Sequence, residues 1–233
     1  MRLPKTLTAA VLVLTLLAVA CSSDSGPAPS DVVGTIPWKS TESTSYLLKN
    51  KKGDLLGRGT LGVEVSGAST KLSQRFQSDT SRDESTVIVE SQTLKPVSAM
   101  RTIVTRSDEE TVEVTYSEVG ALIKQGVKQS GLSVPEHAYD NDSSLFLWRT
   151  LPFREGYEAS YVTIITNRRE RQTVRLTVKG RETVRVAAGE MQVWRLEVKT
   201  SNATQIAWYA DTPSRTLVKY DNDRGLIFEL ETP

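Results

Sequence analysis

Apolar and polar residues alternate with a period of two along most of this chain. Leu61, Val63 and Val65 are separated by Gly62 and Glu64, and Val112, Val114 and Tyr116 by Glu113 and Thr115. Val174, Leu176 and Val178 repeat the pattern, as do Trp194, Leu196 and Val198, then Ile206 and Trp208, then Leu226, Phe228 and Leu230. Strict alternation predicts strands with one face on a core and the other in water, the habit of antiparallel sheets. The intervals carry turn chemistry: Asn50 to Asp54, Asn167 to Glu170, Ala187 to Glu190 and Asp221 to Gly225 supply Gly, Asn or Asp where positive φ is needed. The pattern predicts about ten strands in up-and-down order. Pro96, Pro135, Pro152 and Pro213 each disfavour a central strand, because proline donates nothing to a ladder.

One segment breaks the period. Asp140-Asn141-Asp142-Ser143 offers N-caps ahead of Leu145, Trp148 and Leu151, spaced by three and stopped by Pro152, which predicts one short helix. Ser117 to Ser130 stays ambiguous: Val119, Leu122, Ile123 and Val127 suit a helix, while Gly120 and Gly126 oppose one. The expected fold is therefore all-β, a curved antiparallel meander or an open or closed β-barrel, with residues 142 to 151 as a cover over its apolar face. Such a sheet encloses either a binding cavity or a solid core.

The N-terminus has another character. Arg2 and Lys5 precede an apolar run from Leu7 to Ala20, the plan of a secretory signal, and that run is shorter than the roughly 17 to 25 residues needed to cross a bilayer. Leu17-Ala18-Val19-Ala20-Cys21 resembles the lipobox of bacterial lipoproteins, with Ala18 where a larger aliphatic residue is usual. The resemblance implies cleavage between Ala20 and Cys21, removal of residues 1–20, and acylation of Cys21, the only cysteine, so that no intrachain disulfide competes for it. Two acyl chains hold a protein on a membrane without a spanning helix. Residues 21–35 then form a lipidated, Ser/Pro/Gly-rich flexible tether, and residues 36–233 a single β domain. The expected location is extracytoplasmic, anchored to the cell membrane or the outer membrane.

Composition narrows the chemistry. Removing residues 1–20 leaves 27 basic against 28 acidic residues, so no long-range field favours nucleic acid. His137 is the only histidine and sits beside Pro135 and Glu136, where a loop role suits it better than that of a catalytic base. No Gly-x-Ser-x-Gly, no phosphate-cradling loop and no zinc set is present, so no cofactor, metal or catalytic residue is expected and the chain does not read as an enzyme. Asp140 to Ser143 and Asp221 to Asp223 supply oxygen ligands, but capping and turn formation explain them better than calcium. The remaining candidates are aromatic. Trp148, Phe153, Trp194, Trp208 and Tyr209 lie on or near expected inward positions, as core or as the lining of an apolar ligand site.

Two stretches resemble a known family. Tyr139 to Ser144 and Arg149 to Gly156 are similar to the central part of DUF3108, a family of exported bacterial proteins of undefined function. Val178 to Val184, Ala188-Gly189, Val193 to Leu196, Ile206 to Asp211 and Leu217 to Tyr220 match it in order. The resemblance is specific over about 139–230 and general before that. It implies a curved sheet or open barrel and brings no catalytic residues. Two functions follow as expectations: a non-catalytic, membrane-anchored envelope lipoprotein binding a lipid or other apolar ligand, or a structural lipoprotein with a solid core that docks envelope partners.

Overall fold

A computed structural model describes residues 26–232, so the signal-like run, Ala20 and Cys21 lie outside the described residues. Fifteen strands form one sheet: β1 (Glu42–Lys49), β2 (Leu55–Ser66), β3 (Ser69–Ser78), β4 (Ser81–Glu90), β5 (Pro96–Thr105), β6 (Glu109–Tyr116), β7 (Gly120–Gln125), β8 (Lys128–Ser133), β9 (Ala138–Asp140), β10 (Glu158–Ile165), β11 (Glu170–Val186), β12 (Gly189–Lys199), β13 (Thr204–Ala210), β14 (Leu217–Asp221) and β15 (Ile227–Leu230). The sheet is all-β as expected, with fifteen strands in place of about ten. The additional strands include some with sparse apolar positions: β8 reads Lys-Gln-Ser-Gly-Leu-Ser, and β3 buries Thr70 and Gln74 on either side of Leu72.

Strand order is β8 to β1 in reverse sequence, then β15 down to β9. Two meanders thus meet in the middle, where β1 pairs antiparallel with β15 through Tyr46↔Leu230 and Leu48↔Phe228. All neighbours are antiparallel except β9 and β10. The sheet curls until its ends meet through side chains instead of a ladder: Arg171 Nη1 donates to Ser133 Oγ at 2.8 Å, and Arg169 Nη2 to Gln125 Oε1 at 2.9 Å. The result is barrel-like and unclosed.

The turn chemistry holds locally. Asn50 Oδ1 accepts from the N–H groups of Lys52 and Asp54, and Asn222 Oδ1 from those of Arg224 and Leu226. The ambiguous segment is a hairpin of β7 and β8, with Gly126 at φ +57° in the turn. Helix formation would have placed Ala121 and Ile123 on different faces; as strand residues both are buried on one. Pro96 is tolerated as the first residue of its strand.

Two expectations are corrected. The segment before Trp38 is a strap, not a tether up to residue 35. Ser30 N–H bonds to Ser160 O, Val32 is 3% exposed, Tyr139 OH donates to the Asp31 carboxylate, and Gly34 N–H reaches Thr150 Oγ1. Its composition hid one apolar side chain with a groove to enter and one carboxylate with partners. The helical segment, in turn, is no outer cover. It consists of a 3-10 turn at Asn141–Ser143, the single α-helical turn α1 (Ser144–Leu147) and a second 3-10 turn at Trp148–Thr150. Every residue from Ser143 to Leu151 is buried. Leu145, Phe146, Leu147 and Trp148 point apolar groups around the whole circumference, and such a segment must be surrounded. It plugs the barrel.

Candidate functional site

The plug is hung from the sheet by tyrosines. Trp148 Nε1 donates to Tyr161 OH at 3.0 Å, Ser144 Oγ lies 3.2 Å from the same hydroxyl, and Tyr209 OH donates to Leu145 O at 2.8 Å. Each buried phenol thereby satisfies its polar end while its ring fills the core. Above the plug remains a cleft of about 350 Å³, within the usual span of small-molecule sites. One wall is aromatic: Trp148, Tyr220, Phe228 and Phe76 form a chain of ring contacts with centroids 6.1, 5.5 and 4.8 Å apart. The row runs into a polar patch of Gln74, Asp83, Ser85, Arg101, Asn141 and Asp142, which forms the polar wall and begins at Asp83, the cross-strand partner of Phe76. Thr163, from β10, also lines the cleft; its Oγ1 is buried and has no hydrogen-bond partner among the described residues.

The polar wall is tied together. Arg101 on β5 forks onto Asp83 of β4, Nε to Oδ1 at 2.9 Å and Nη2 to Oδ2 at 2.6 Å, and its Nη1 reaches Asp142 Oδ1 at 3.2 Å. Gln74 on β3 donates to Asp142 O. Behind them, Asp140 accepts from Asp142 N–H at 2.8 Å and from Tyr116 OH of β6. These bonds join the plug's first turn to the opposite arm of the sheet, so the carboxylates read in the sequence as caps are both caps and a latch.

Burial, with Asp142 beside it, pushes the Asp140 carboxyl up to about 7. Asp142 is raised too, by burial, against the pull of Arg101. The folded protein therefore keeps a proton on Asp140 that the unfolded chain releases near 3.8. From this group, stability falls as the pH rises from about 4 through 7 and is level above. Asp140→Asn keeps an acceptor for Asp142 N–H and cannot ionise. In urea titrations at pH 5, 6, 7 and 8, the stability difference between variant and wild type is expected to move in the variant's favour up to pH 7 and to level off by pH 8; a constant difference would show that Asp140 is ionised throughout.

The sequence candidates fall into three places. Trp148 lines the cleft. Phe153 and Trp194 stack 6.2 Å apart at a separate depression lined also by Arg181, Asp211 and Arg215, and Tyr209 lies fully buried against Phe153, centroids 5.5 Å apart. Trp208 is corrected: Ala207 and Tyr209 are the inward residues of β13, while Trp208 faces outward between cross-strand Arg195 and Lys219 and donates to Glu182. The alternation was there, but the phase chosen from Ile206 and Trp208 was one residue off, and a one-residue slip exchanges the faces. The polar wall was missed because Gln74, Asp83, Arg101 and Thr163 come from four strands and no local spacing links them.

Geometry thus defines a plugged, barrel-like sheet protein with an interior cleft. The sequence matches, over residues 45–225, the family described as "Protein of unknown function (DUF3108)", and the chain belongs to that family. The match extends through the early strands, beyond the motifs that carry the resemblance in sequence. No curated protein matches significantly. Among solved structures, the chain is similar to a β-barrel-like protein of the domain of unknown function DUF1849 from Brucella abortus, with a TM-score of 0.55 at 9% identity over 82% of this chain and 95% of that one. A protein with a YmcC-like fold from Bacteroides fragilis overlays with a TM-score of 0.31 at 10% identity, covering 86% and 98%, too distant to inform the fold.

Proposed function

We propose that the protein is a non-catalytic, lipid-anchored module of the bacterial envelope that holds a small ligand in its interior cleft. The anchoring half rests on the signal-like run and the lipobox resemblance at Cys21. The binding half rests on one observation, the cleft above the plug, where an aromatic row adjoins fixed polar groups and a buried hydroxyl lacks a partner among the described residues. Non-catalytic fits the same wall: Asp83 and Asp142 are engaged by Arg101, and Asp140 by Tyr116 and a backbone N–H, an arrangement that holds shape. Such mixed lining narrows the expected lipid or apolar ligand to one that carries polar groups.

Cys21→Ser is expected to lose metabolic labelling by an alkyne fatty acid and to leave the membrane fraction. Retained labelling in the variant would sink the anchoring half. For the cleft, native mass spectrometry of protein purified as the cell makes it is expected to show a bound non-protein mass that denaturation releases.

The reading of a solid-core docking protein is favoured by the plug, whose side chains from Leu145 to Leu151 join the buried core. It predicts a single mass equal to the acylated chain and no ligand under the same conditions.

A further inference from the structure

An ion, an acyl chain and a saccharide make different demands on the cleft. Three carboxylates, Asp83, Asp142 and Glu170, line it with three guanidinium groups, Arg101, Arg168 and Arg224. With signs balanced, no net field selects a charged ligand. An acyl chain would meet the aromatic wall well but would strip water from Arg101, Asp83 and Asp142 and give nothing back. A ligand is needed that has apolar faces and hydroxyls around its edge. Such a body matches the lining: the rings of Tyr220 and Phe76 for its apolar faces and, beside Phe76, donors and acceptors that are already held in place for its edge.

Amides add to the match. Asn141, Asn167, Asn202 and Gln172 line the cleft, and planar amides meet neighbouring hydroxyl groups with one donor and one acceptor each. Thr163 supplies the independent observation. It is 2% exposed, lines the cleft, and its Oγ1 has neither donor nor acceptor within reach among the described residues. Buried hydroxyls are nearly always paired, so an unpaired one at a cleft marks where a ligand atom completes the bond.

We propose that the cleft receives the end of a short neutral saccharide, its ring faces against Tyr220 and Phe76 and one of its hydroxyls on Thr163 Oγ1. This rests on the cleft being a ligand site. The volume of about 350 Å³ suits one or two sugar rings.

The test uses the protein purified as the cell makes it, held in nanodiscs and probed on an array of neutral mono-, di- and trisaccharides of hexose, N-acetylhexosamine, deoxyhexose and pentose units. Decanoate and anilinonaphthalene sulfonate are titrated in parallel. Expected is at least one saccharide whose affinity falls about tenfold in Thr163→Val, the worth of one hydrogen bond, and recovers in Thr163→Ser. Thr163→Val breaks no bond within the described residues, so an unchanged melting temperature verifies its fold. Saccharide binding insensitive to Thr163→Val overturns the placement. Binding of decanoate or the dye alone overturns the saccharide and leaves the cleft as a ligand site. Binding of nothing overturns both.

Discussion

Arg149→Ala is expected to destabilise the protein by about 3–5 kcal/mol, through three lost hydrogen bonds from a charged donor at about 1.5 kcal/mol each, and to lower the melting temperature by roughly 10 °C for a domain of this size. The side chain is 7% exposed. Nη1 donates to Glu42 at the start of β1, Nη2 to Ser214 O at 2.7 Å and Nε to Arg215 O at 3.2 Å, while the guanidinium carbon lies 5.2 Å from the centre of the Trp38 ring. One side chain thereby fastens the plug to the first strand, to the loop between β13 and β14, and to the strap. Arg215 answers from that loop, Nη1 donating to Leu151 O at 2.7 Å. Alanine would leave Glu42 and two carbonyls without their donor and Trp38 without its roof. Arg149→Lys is expected to recover less than half, because an ammonium lacks the planar fork that serves three acceptors. Thermal melts followed by near-ultraviolet circular dichroism check both variants; a wild-type melt for Arg149→Ala would mean that the plug is held by apolar packing alone.

Trp148→Ala is expected to cost about 3–5 kcal/mol, the range for emptying a large aromatic site in a core. The ring is 3% exposed, contacts Tyr220 and donates to Tyr161 OH. Trp148→Phe separates the two contributions. It keeps most of the volume and loses the hydrogen bond, so its cost should be near 1 kcal/mol, the usual net worth of one such bond. Urea denaturation reads both. Equal losses in the two variants would place the stabilising role in the indole N–H rather than in the filled volume.

Much of the sheet was legible because burial imposes a period that the chain itself carries. Leu61, Val63 and Val65, or Val174, Leu176 and Val178, declare their strands and their inner face without reference to anything distant. Strands such as β8 and β9 do not, since their pairing is decided by neighbours already in the sheet. The plug announced itself as a helix by its caps and by Leu145, Trp148 and Leu151, but its inside position depended on Phe146 and Leu147, which a one-faced reading leaves over. Trp208 shows the opposite failure: a short run with apolar residues at both parities, Ile206, Ala207, Trp208 and Tyr209, has no phase of its own and takes it from β12 and β14. The cleft was the least legible part. Arg101 and Asp83 are 18 positions apart and Arg101 and Asp142 are 41, and only the curl of the sheet turns them into one wall.

The central pairing of β1 with β15 also has a consequence in time. Each arm is a meander whose hairpins form from nearby residues, a local and rapid process, while the bridge between arms joins Tyr46 to Leu230 across nearly the whole chain. A chain emerging N-terminus first thus completes its first arm long before the strand that must lie against β1 exists. Until β15 arrives, β1 presents an open ladder to its surroundings, the kind of edge to which foreign strands add. The four-residue strand β15 is the part that covers that edge.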